Sequence, residues 1–367
     1  MKDLKPRAMA KRFYPIRIGS VQKETSDAIT ICLDVPKDLQ EEFCFEAGQH
    51  LTIKAIVNDE EVRRNYSLCS APHENKYCFT VKQVPRGRFS TYANELLTEG
   101  MSISVMPPDG SFIFPFKATN TNTYVAFAAG SGITPIISIL KSALTTESHS
   151  TFILFFANKS QDQILFLEEL AELKNRFMDR LAIYHFLSRR KQEFEIFNGR
   201  IDQKKCRQLA QLLFAPGEIE AYFLCGPHSM MEELTNCLLE MGVAKERIKR
   251  ELFTSPDMFD RKVAVATVSL DKTPLAGHVE IRIDGHTHRI AFEQPKSILD
   301  TALDHGLDLP FACKGGVCCT CKARLIEGNV DMIVNYGLDE EELEKDFILT
   351  CQAVPSSDKV VVDYDVI

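Results

Sequence analysis

The chain has 367 residues, of which 45% are hydrophobic and 26% are charged, and it carries a formal net charge of −8. This composition is that of an ordinary globular protein, and the length suits two or three domains. No stretch approaches the 18 apolar residues of a membrane span, and an acidic chain is a poor match for nucleic acid. Neither membrane insertion nor nucleic-acid binding is therefore expected. The N-terminus lacks an apolar signal region, and the cysteines outside the C-terminal quarter are scattered singly, so we expect reduced thiols and a cytoplasmic location.

Residues 1–116 contain six short runs of alternating apolar and polar residues, separated by turn residues at about ten-residue spacing. This rhythm predicts an antiparallel β-barrel. One helix, beginning near Ser90 and ended by Gly100, interrupts the strands.

Two motifs in the barrel indicate a flavin site. Arg64 and Tyr66 alternate on one strand and so share a face, where an arginine can pair with a phosphate and a tyrosine can lie on an aromatic ring. The adjacent Ser67 offers a hydroxyl for a ring nitrogen. The second motif is Gly87-Arg88-Phe89-Ser90 at the start of the helix, and a helix N-terminus with a close-approach glycine is suited to phosphate.

Residues 117–253 change to continuous apolar strands that alternate with helices, which predicts a parallel sheet in an α/β domain. Gly130, Gly132, Thr134 and Pro135 belong to a GSGITP turn between a strand and a helix, where a diphosphate can approach backbone N–H groups. The segment Cys225-Gly226-Pro227 follows a later strand, at the sheet edge where ligands bind in α/β folds.

Residues 254–276 have no clear periodicity and are interpreted as a linker. Residues 277–367 begin with a hairpin around Asp284-Gly285, followed by a short helix and a cysteine-rich loop. Cys313, Cys318, Cys321 and Cys351 have the C-x4-C-x2-C…C spacing of a plant-type 2Fe–2S cluster. A structural zinc site and a set of free thiols are the alternatives, although zinc sites favour C-x2-C pairs.

This C-terminal module has 17 acidic and 8 basic residues, a balance of −9, so it accounts for the whole net charge of −8. The acidic run at 339–346 is either a solvated helical face or a surface that steers docking to a basic partner.

Taken in this order, the motifs resemble the ferredoxin–NADP reductase superfamily with a C-terminal plant-type, β-grasp ferredoxin domain. Within it, RNYSLCS, GRFSTYANE and the CKGGVCCTCK loop are similar to the reductase components of phenylacetyl-CoA epoxidases. The resemblance implies that Arg64 contacts the flavin diphosphate, Tyr66 stacks on the flavin ring and Ser67 approaches its N5 atom. It also implies that the GSGITP and CGP segments bind the nicotinamide nucleotide, with Cys225 beside the nicotinamide and Phe253 near the flavin.

The Ser188-Arg189 pair resembles the segment that binds the 2′-phosphate of NADP in NADP-dependent members of this superfamily. NADPH is therefore the expected electron donor, with NADH as the alternative. FAD is the expected flavin, and FMN is used by some related reductases. No Glu-x-x-His pair of a di-iron site is present, so terminal oxygen chemistry is expected elsewhere.

The resulting hypothesis is an electron-transfer reductase that passes electrons from NADPH through FAD and the cluster to the oxygenase component of a multicomponent monooxygenase, a phenylacetyl-CoA epoxidase. A different acceptor, such as an acyl-CoA desaturase or a ring hydroxylase, is the alternative within the same class. A redox-sensing binding module is the alternative from another class.

Overall fold

A computed structural model describes residues 12–253 and 275–366. The chain divides into two compact units, one of residues 14–253 and one that contains residues 275–366. The predicted linker, residues 254–276, lies almost wholly outside the described residues. No helix in the described ranges is long and apolar enough to cross a membrane.

The first unit begins with a six-stranded antiparallel sheet of order β4-β3-β6-β1-β2-β5. An isolated bridge between Leu68 and Phe79 joins the end of β4 to β5, so the two outer strands meet and the sheet closes into a barrel. Helix α1 begins and ends close to the predicted positions. The elements are β1 Tyr14–Thr25, β2 Ala28–Asp34, β3 His50–Val57, β4 Glu60–Ser67, β5 Tyr77–Lys82, α1 Arg88–Leu96 and β6 Ser102–Val105.

The expectation of unpaired cysteines outside the cluster loop is wrong at one pair in this barrel. Cys32 on β2 lies directly opposite Cys78 on β5 in the antiparallel register, and the two form a disulfide. The residues are 46 positions apart, and only the strand register brings them together.

The second half of this unit is a five-stranded parallel sheet of order β11-β10-β7-β8-β9. Its central strands are apolar throughout because helices cover both faces. The elements are β7 Thr123–Ala129, α2 Ile133–Thr146, β8 Thr151–Asn158, α3 Leu167–Arg176, β9 Leu181–Leu187, α4 Gln203–Leu213, β10 Ala221–Cys225, α5 His228–Glu240 and β11 Ile248–Glu251. The sequence patterns did not single out α4 or β11.

Helix α2 also joins the barrel to the α/β domain. The Ser138 hydroxyl donates to the Ser70 carbonyl oxygen at 2.7 Å. The buried Lys141 ammonium lies 2.8 Å from a Glu74 carboxylate oxygen of the barrel and 2.9 Å from Glu169 of α3. These contacts hold the barrel and the α/β domain in one unit.

The second unit is a mixed five-stranded sheet of order β13-β12-β18-β14-β16 with a small second sheet of β15 and β17, which is a β-grasp arrangement. Asp284 and Gly285 both have positive φ, as a two-residue hairpin turn requires. Ser297 caps α6 by accepting from the Asp300 amide. The elements are β12 Ala276–Ile283, β13 His286–Glu293, α6 Ile298–Asp304, β14 Lys322–Glu327, β15 Val330–Met332, α7 Glu340–Glu344, β16 Phe347–Leu349, β17 Ala353–Pro355 and β18 Lys359–Asp363.

Candidate functional site

The predicted flavin motif ends strand β4. Arg64 is half-buried, and its guanidinium donates to the Arg63 carbonyl oxygen at 2.7 Å. The Tyr66 ring centroid lies 5.4 Å from that of Phe89 and 5.7 Å from that of Phe79. Burial raises the pKa of Tyr66, and the nearby Arg64 opposes the rise. The tyrosine therefore stays a neutral, well-supported aromatic face.

The Gly87–Ser90 segment forms the first turn of α1. The Ser90 hydroxyl accepts from the Val84 amide at 3.2 Å and contacts the Gly87 carbonyl oxygen at 3.4 Å, so it stabilises the turn itself. A Cβ at Gly87 would lie 2.2 Å from that hydroxyl, which explains the glycine. Arg88 is exposed and pairs with Glu60 at 2.5 Å.

The two predicted nucleotide segments meet at the carboxyl edge of the parallel sheet. Gly132 ends a 3-10 turn that leads into α2, and a Cβ there would lie 2.1 Å from the Cys225 carbonyl oxygen. The glycine thus lets the GSGITP turn approach the CGP segment directly. Thr134 and Pro135 are buried in the first turn of α2, and the Thr134 hydroxyl donates to the Ser131 carbonyl oxygen at 3.0 Å. The amide groups of this turn form a cradle that fits a nucleotide diphosphate.

A carboxyl group that is 14% exposed, and that the sequence patterns did not reveal, joins the barrel to this edge. Glu251 ends β11 and is the register partner of Cys225. Both of its carboxyl oxygens lie 3.4 Å from the Ser67 hydroxyl, and one lies 3.8 Å from His50 Nδ1. Burial raises the pKa of Glu251 to about 8, against the hydrogen bond from Ser67. The structure therefore brings Ser67, Cys225 and Glu251 together.

No local sequence pattern distinguishes Glu251 from the other charged residues of KRELF, because its partners Cys225 and Ser67 come from distant strands. Burial also raises the pKa of the Cys225 thiol, and the Glu251 carboxyl group adds to this effect. The thiol is therefore neutral. Phe253, two residues further on, is half-buried and packs against the core that contains Cys225.

Ser188 and Arg189 lie away from this cluster, beyond the end of β9. Their backbone amides donate to the carbonyl oxygens of Asn158 and Lys159, and these bonds extend the hydrogen bonding between β8 and β9. Their side chains are exposed and line a cavity of about 320 Å³. The cavity contains three basic side chains, Arg189, Arg190 and Lys191, together with one carboxylate, Glu195, so its chemistry suits an anionic group.

The four predicted cluster ligands are grouped as two pairs. The Cys313 thiol hydrogen-bonds with Cys318, and the Cys321 thiol with Cys351. Within residues 12–253 and 275–366, no three metal-ligating side chains converge on one ion position. Two irons with two thiolates each match this grouping, whereas structural zinc needs four ligands around one ion. The donor set therefore fits a 2Fe–2S cluster.

The loop around these thiols also supplies amide donors. The Gly315 amide donates to Cys313 Sγ at 3.2 Å. The Cys318 thiol, helped by backbone amides, lowers the pKa of Cys313 against the effect of burial. Gly316 has φ +75°, and a Cβ there would lie 2.7 Å from the Val334 carbonyl oxygen. Cys319, with φ +48°, packs at the edge of the domain core.

Three families match consecutive parts of this chain. They are described as the oxidoreductase FAD-binding domain at residues 15–114, the oxidoreductase NAD-binding domain at 127–236 and the 2Fe-2S iron-sulfur cluster binding domain at 281–356. With the fold and the donor sets above, these matches define a flavoprotein oxidoreductase that uses FAD, NAD(P)H and a 2Fe–2S cluster.

Relatives of this chain match nearly its whole length. A subunit of the 1,2-phenylacetyl-CoA epoxidase of Escherichia coli (strain K12) is 38% identical over 96% of this chain and 98% of its own length. The ferredoxin reductase component of 3-ketosteroid-9-alpha-monooxygenase from Rhodococcus rhodochrous is 33% identical over 95% of this chain and 96% of its own. The chain belongs to this family of iron–sulfur flavoprotein reductases, which includes that 1,2-phenylacetyl-CoA epoxidase subunit.

Solved structures agree on the fold. Phthalate dioxygenase reductase is 22% identical and matches 96% of this chain and 98% of its own, with a TM-score of 0.58. A type IV self-sufficient cytochrome P450 monooxygenase is 19% identical and matches 95% of this chain and 41% of its own, with a TM-score of 0.65.

Proposed function

We propose that this reductase takes electrons from NADPH and delivers them to the oxygenase component of a phenylacetyl-CoA epoxidase. The observation that carries the proposal is the 38% identity to a subunit of such an epoxidase, because it extends over all three domains and almost the full length of both chains. When bound, the flavin converts the two-electron chemistry of NAD(P)H into one-electron transfer to the cluster.

The residues of the barrel are proposed to bind and orient the flavin. Tyr66, supported by Phe89, offers a flat face for the flavin ring, and Arg64 offers positive charge for its phosphates. Ser67 presents its hydroxyl to the reactive end of the ring, where it is held by Glu251. The backbone at Gly87–Ser90 and the Arg88 guanidinium also contact the flavin phosphates. Phe253 packs near the flavin ring.

The residues of the α/β domain are proposed to bind the nicotinamide nucleotide. The turn from Gly130 to Pro135 holds the diphosphate through backbone amides. Cys225, Gly226 and Pro227 lie where the nicotinamide ring meets the flavin. Arg189 and Ser188 bind the 2′-phosphate in the basic cavity described above. This contact favours NADPH over NADH, which lacks the phosphate.

The C-terminal domain is proposed to hold the cluster through Cys313, Cys318, Cys321 and Cys351. Amide groups such as that of Gly315 stabilise the thiolates and tune the potential of the site. The acidic character of the module favours a basic surface on the acceptor protein.

A second acceptor class is supported by the relatives at 33% identity, which are reductase components of 3-ketosteroid-9-alpha-monooxygenases. A reductase for a different oxygenase is therefore the competing proposal, and the two differ in the partner protein alone.

An anaerobic titration with NADPH separates these proposals. The purified holoprotein is followed spectrally before and after addition of a phenylacetyl-CoA epoxidase oxygenase component and phenylacetyl-CoA, with NADH as the comparison. Bleaching of flavin and cluster, followed by reoxidation in air with epoxide formation, supports the proposal. Bleaching without epoxide formation supports the competing proposal of a different oxygenase. A cluster that stays oxidised contradicts the proposed electron pathway.

A further inference from the structure

A chain of hydrogen bonds between polar side chains leads from the barrel wall to His50, whose Nδ1 atom lies 3.8 Å from Glu251. The Thr52 hydroxyl donates to Asn65 Oδ1 at 2.9 Å, and Asn65 Nδ2 lies 2.9 Å from His50 Nε2. Thr52 and Asn65 face each other in the β3–β4 register, as do His50 and Ser67. His50 and Asn65 have no part in the roles proposed above.

The chain has a direction that determines where the imidazole proton is. The Asn65 amide uses its oxygen to accept from Thr52, so its NH2 group faces His50. Nε2 is then the acceptor, and a neutral imidazole carries its one proton on Nδ1. Nδ1 is the atom that faces Glu251, at 3.8 Å from a carboxyl oxygen.

We propose that His50 is a positioning residue for the reaction centre. Held as the Nδ1–H tautomer by Asn65 and Thr52, it directs an N–H dipole at Glu251 and fixes that carboxyl group against the Ser67 hydroxyl. The inference rests on the proposed function, in which Ser67 meets the reactive end of the flavin.

Packing around His50 supports a fixed ring. Its side chain is 7% exposed. The backbone of His50 exchanges two hydrogen bonds with Asp109, at 2.8 and 3.0 Å. A Cβ at the next residue, Gly110, would lie 2.9 Å from Nδ1, so a glycine is needed to leave room for the ring in this orientation.

The titratable and hydrogen-bonding groups around the pair come from three further elements. Cys225 of β10 faces Glu251 and its thiol is neutral, Ser67 of β4 donates to it, and Asp109 belongs to the segment paired with His50. An N–H dipole directed at a carboxyl group stabilises its ionised form. His50 therefore opposes burial, and its removal should make Glu251 harder to ionise.

The first test reads the tautomer without turnover. Protein labelled with 15N-histidine is studied by NMR, with the His50 signals identified by their loss in His50→Leu or, if that variant does not fold, by their perturbation in Asn65→Ala. The expected result is a protonated Nδ1 and an unprotonated Nε2, with mixed tautomers in Asn65→Ala. An Nε2–H tautomer in the wild type, or no change in Asn65→Ala, would overturn the proposal.

The second test is the pH profile of NADPH-driven dye reduction. With ionised Glu251 as the active form, His50→Leu should shift the apparent pKa of kcat upward by about one unit and slow the reaction about tenfold at neutral pH. His50→Asn, which keeps a donor close to the Nδ1 position, should restore most of both. The exposed His73→Gln should match the wild type. A profile of His50→Leu equal to that of His73→Gln overturns the proposal, whereas a wild type that reduces no dye contradicts the proposed function and leaves the tautomer result standing.

Discussion

Two glycines of the GSGITP turn are needed for different reasons, and the difference can be measured. Gly132 has φ −62° and ψ −9°, which any residue adopts, but a Cβ there would lie 2.1 Å from the Cys225 carbonyl oxygen and 2.5 Å from its carbon. Gly130 has φ +55°, and a Cβ there would meet no heavy atom within 4 Å. The first position requires space, and the second requires a left-handed backbone.

The magnitude for Gly132→Ala follows from this contact. Both sides of it are backbone, so the turn and the end of β10 must separate until the distance rises from 2.1 Å to at least 3.0 Å. A displacement of about 1 Å at a reaction centre can cost on the order of 100-fold in rate. Overpacking of this kind costs about 1–3 kcal/mol in stability.

The assay is the kcat/KM for NADPH in reduction of a dye that takes electrons from the flavin, with urea unfolding of the same samples. Gly132→Ala should lose about 100-fold in kcat/KM while it retains flavin. Gly130→Asn is the matched control for stability, because asparagine tolerates a left-handed backbone and the space is open. Wild-type kcat/KM in Gly132→Ala would refute the claim that the glycine sets the approach of the two segments.

Three further changes test the other parts of the molecule. Cys318→Ser should remove the visible spectrum of the cluster and acceptor reduction but keep NADPH-driven dye reduction; loss of both activities would contradict the modular pathway. Arg189→Ala should raise KM for NADPH about tenfold, as expected for the loss of a hydrogen bond to a charged group, and leave KM for NADH unchanged; equal effects would exclude the 2′-phosphate role. Lys141→Met removes a buried ammonium that bonds Glu74 and Glu169, whose side chains are 30% and 37% exposed, and should cost about 2 kcal/mol in urea unfolding. The exposed pair of Arg207 with Glu240 is its control, since Arg207→Met should cost less than about 1 kcal/mol, and similar losses in both variants would show that burial of Lys141 is not the cause.

Local sequence patterns were sufficient for most of the fold. Alternating apolar residues over 14–105 predicted the barrel strands, because a strand buried on one face has an apolar residue at every second position. Continuous apolar runs such as TYVAFAAG predicted the parallel sheet, because its strands are buried on both faces. Asp284-Gly285 predicted its hairpin since both positions need positive φ. Strand β11 was missed because it has only four residues, three of them charged, and helix α4 of 11 residues was missed as well.

The cluster cysteines and the glycine turns were predicted from spacing. Cys313, Cys318 and Cys321 share one loop, whereas Cys351 is the distant fourth position of the spacing pattern. The spacing did not show how the four thiols are grouped. The structure groups them as two pairs, which suits two iron ions rather than one zinc ion.

What the amino-acid sequence determined by itself is everything that depends on short-range order: the three domain types, the cluster loop, the flavin strand and the nucleotide turns. Tertiary structure alone decided which distant residues share an environment. Glu251 meets Ser67, 184 positions away, and Cys32 meets Cys78 across a strand pair. Burial and strand register are properties of the packed chain. They raise the pKa of Glu251 and give His50 its fixed partners, and no local sequence pattern contains either effect.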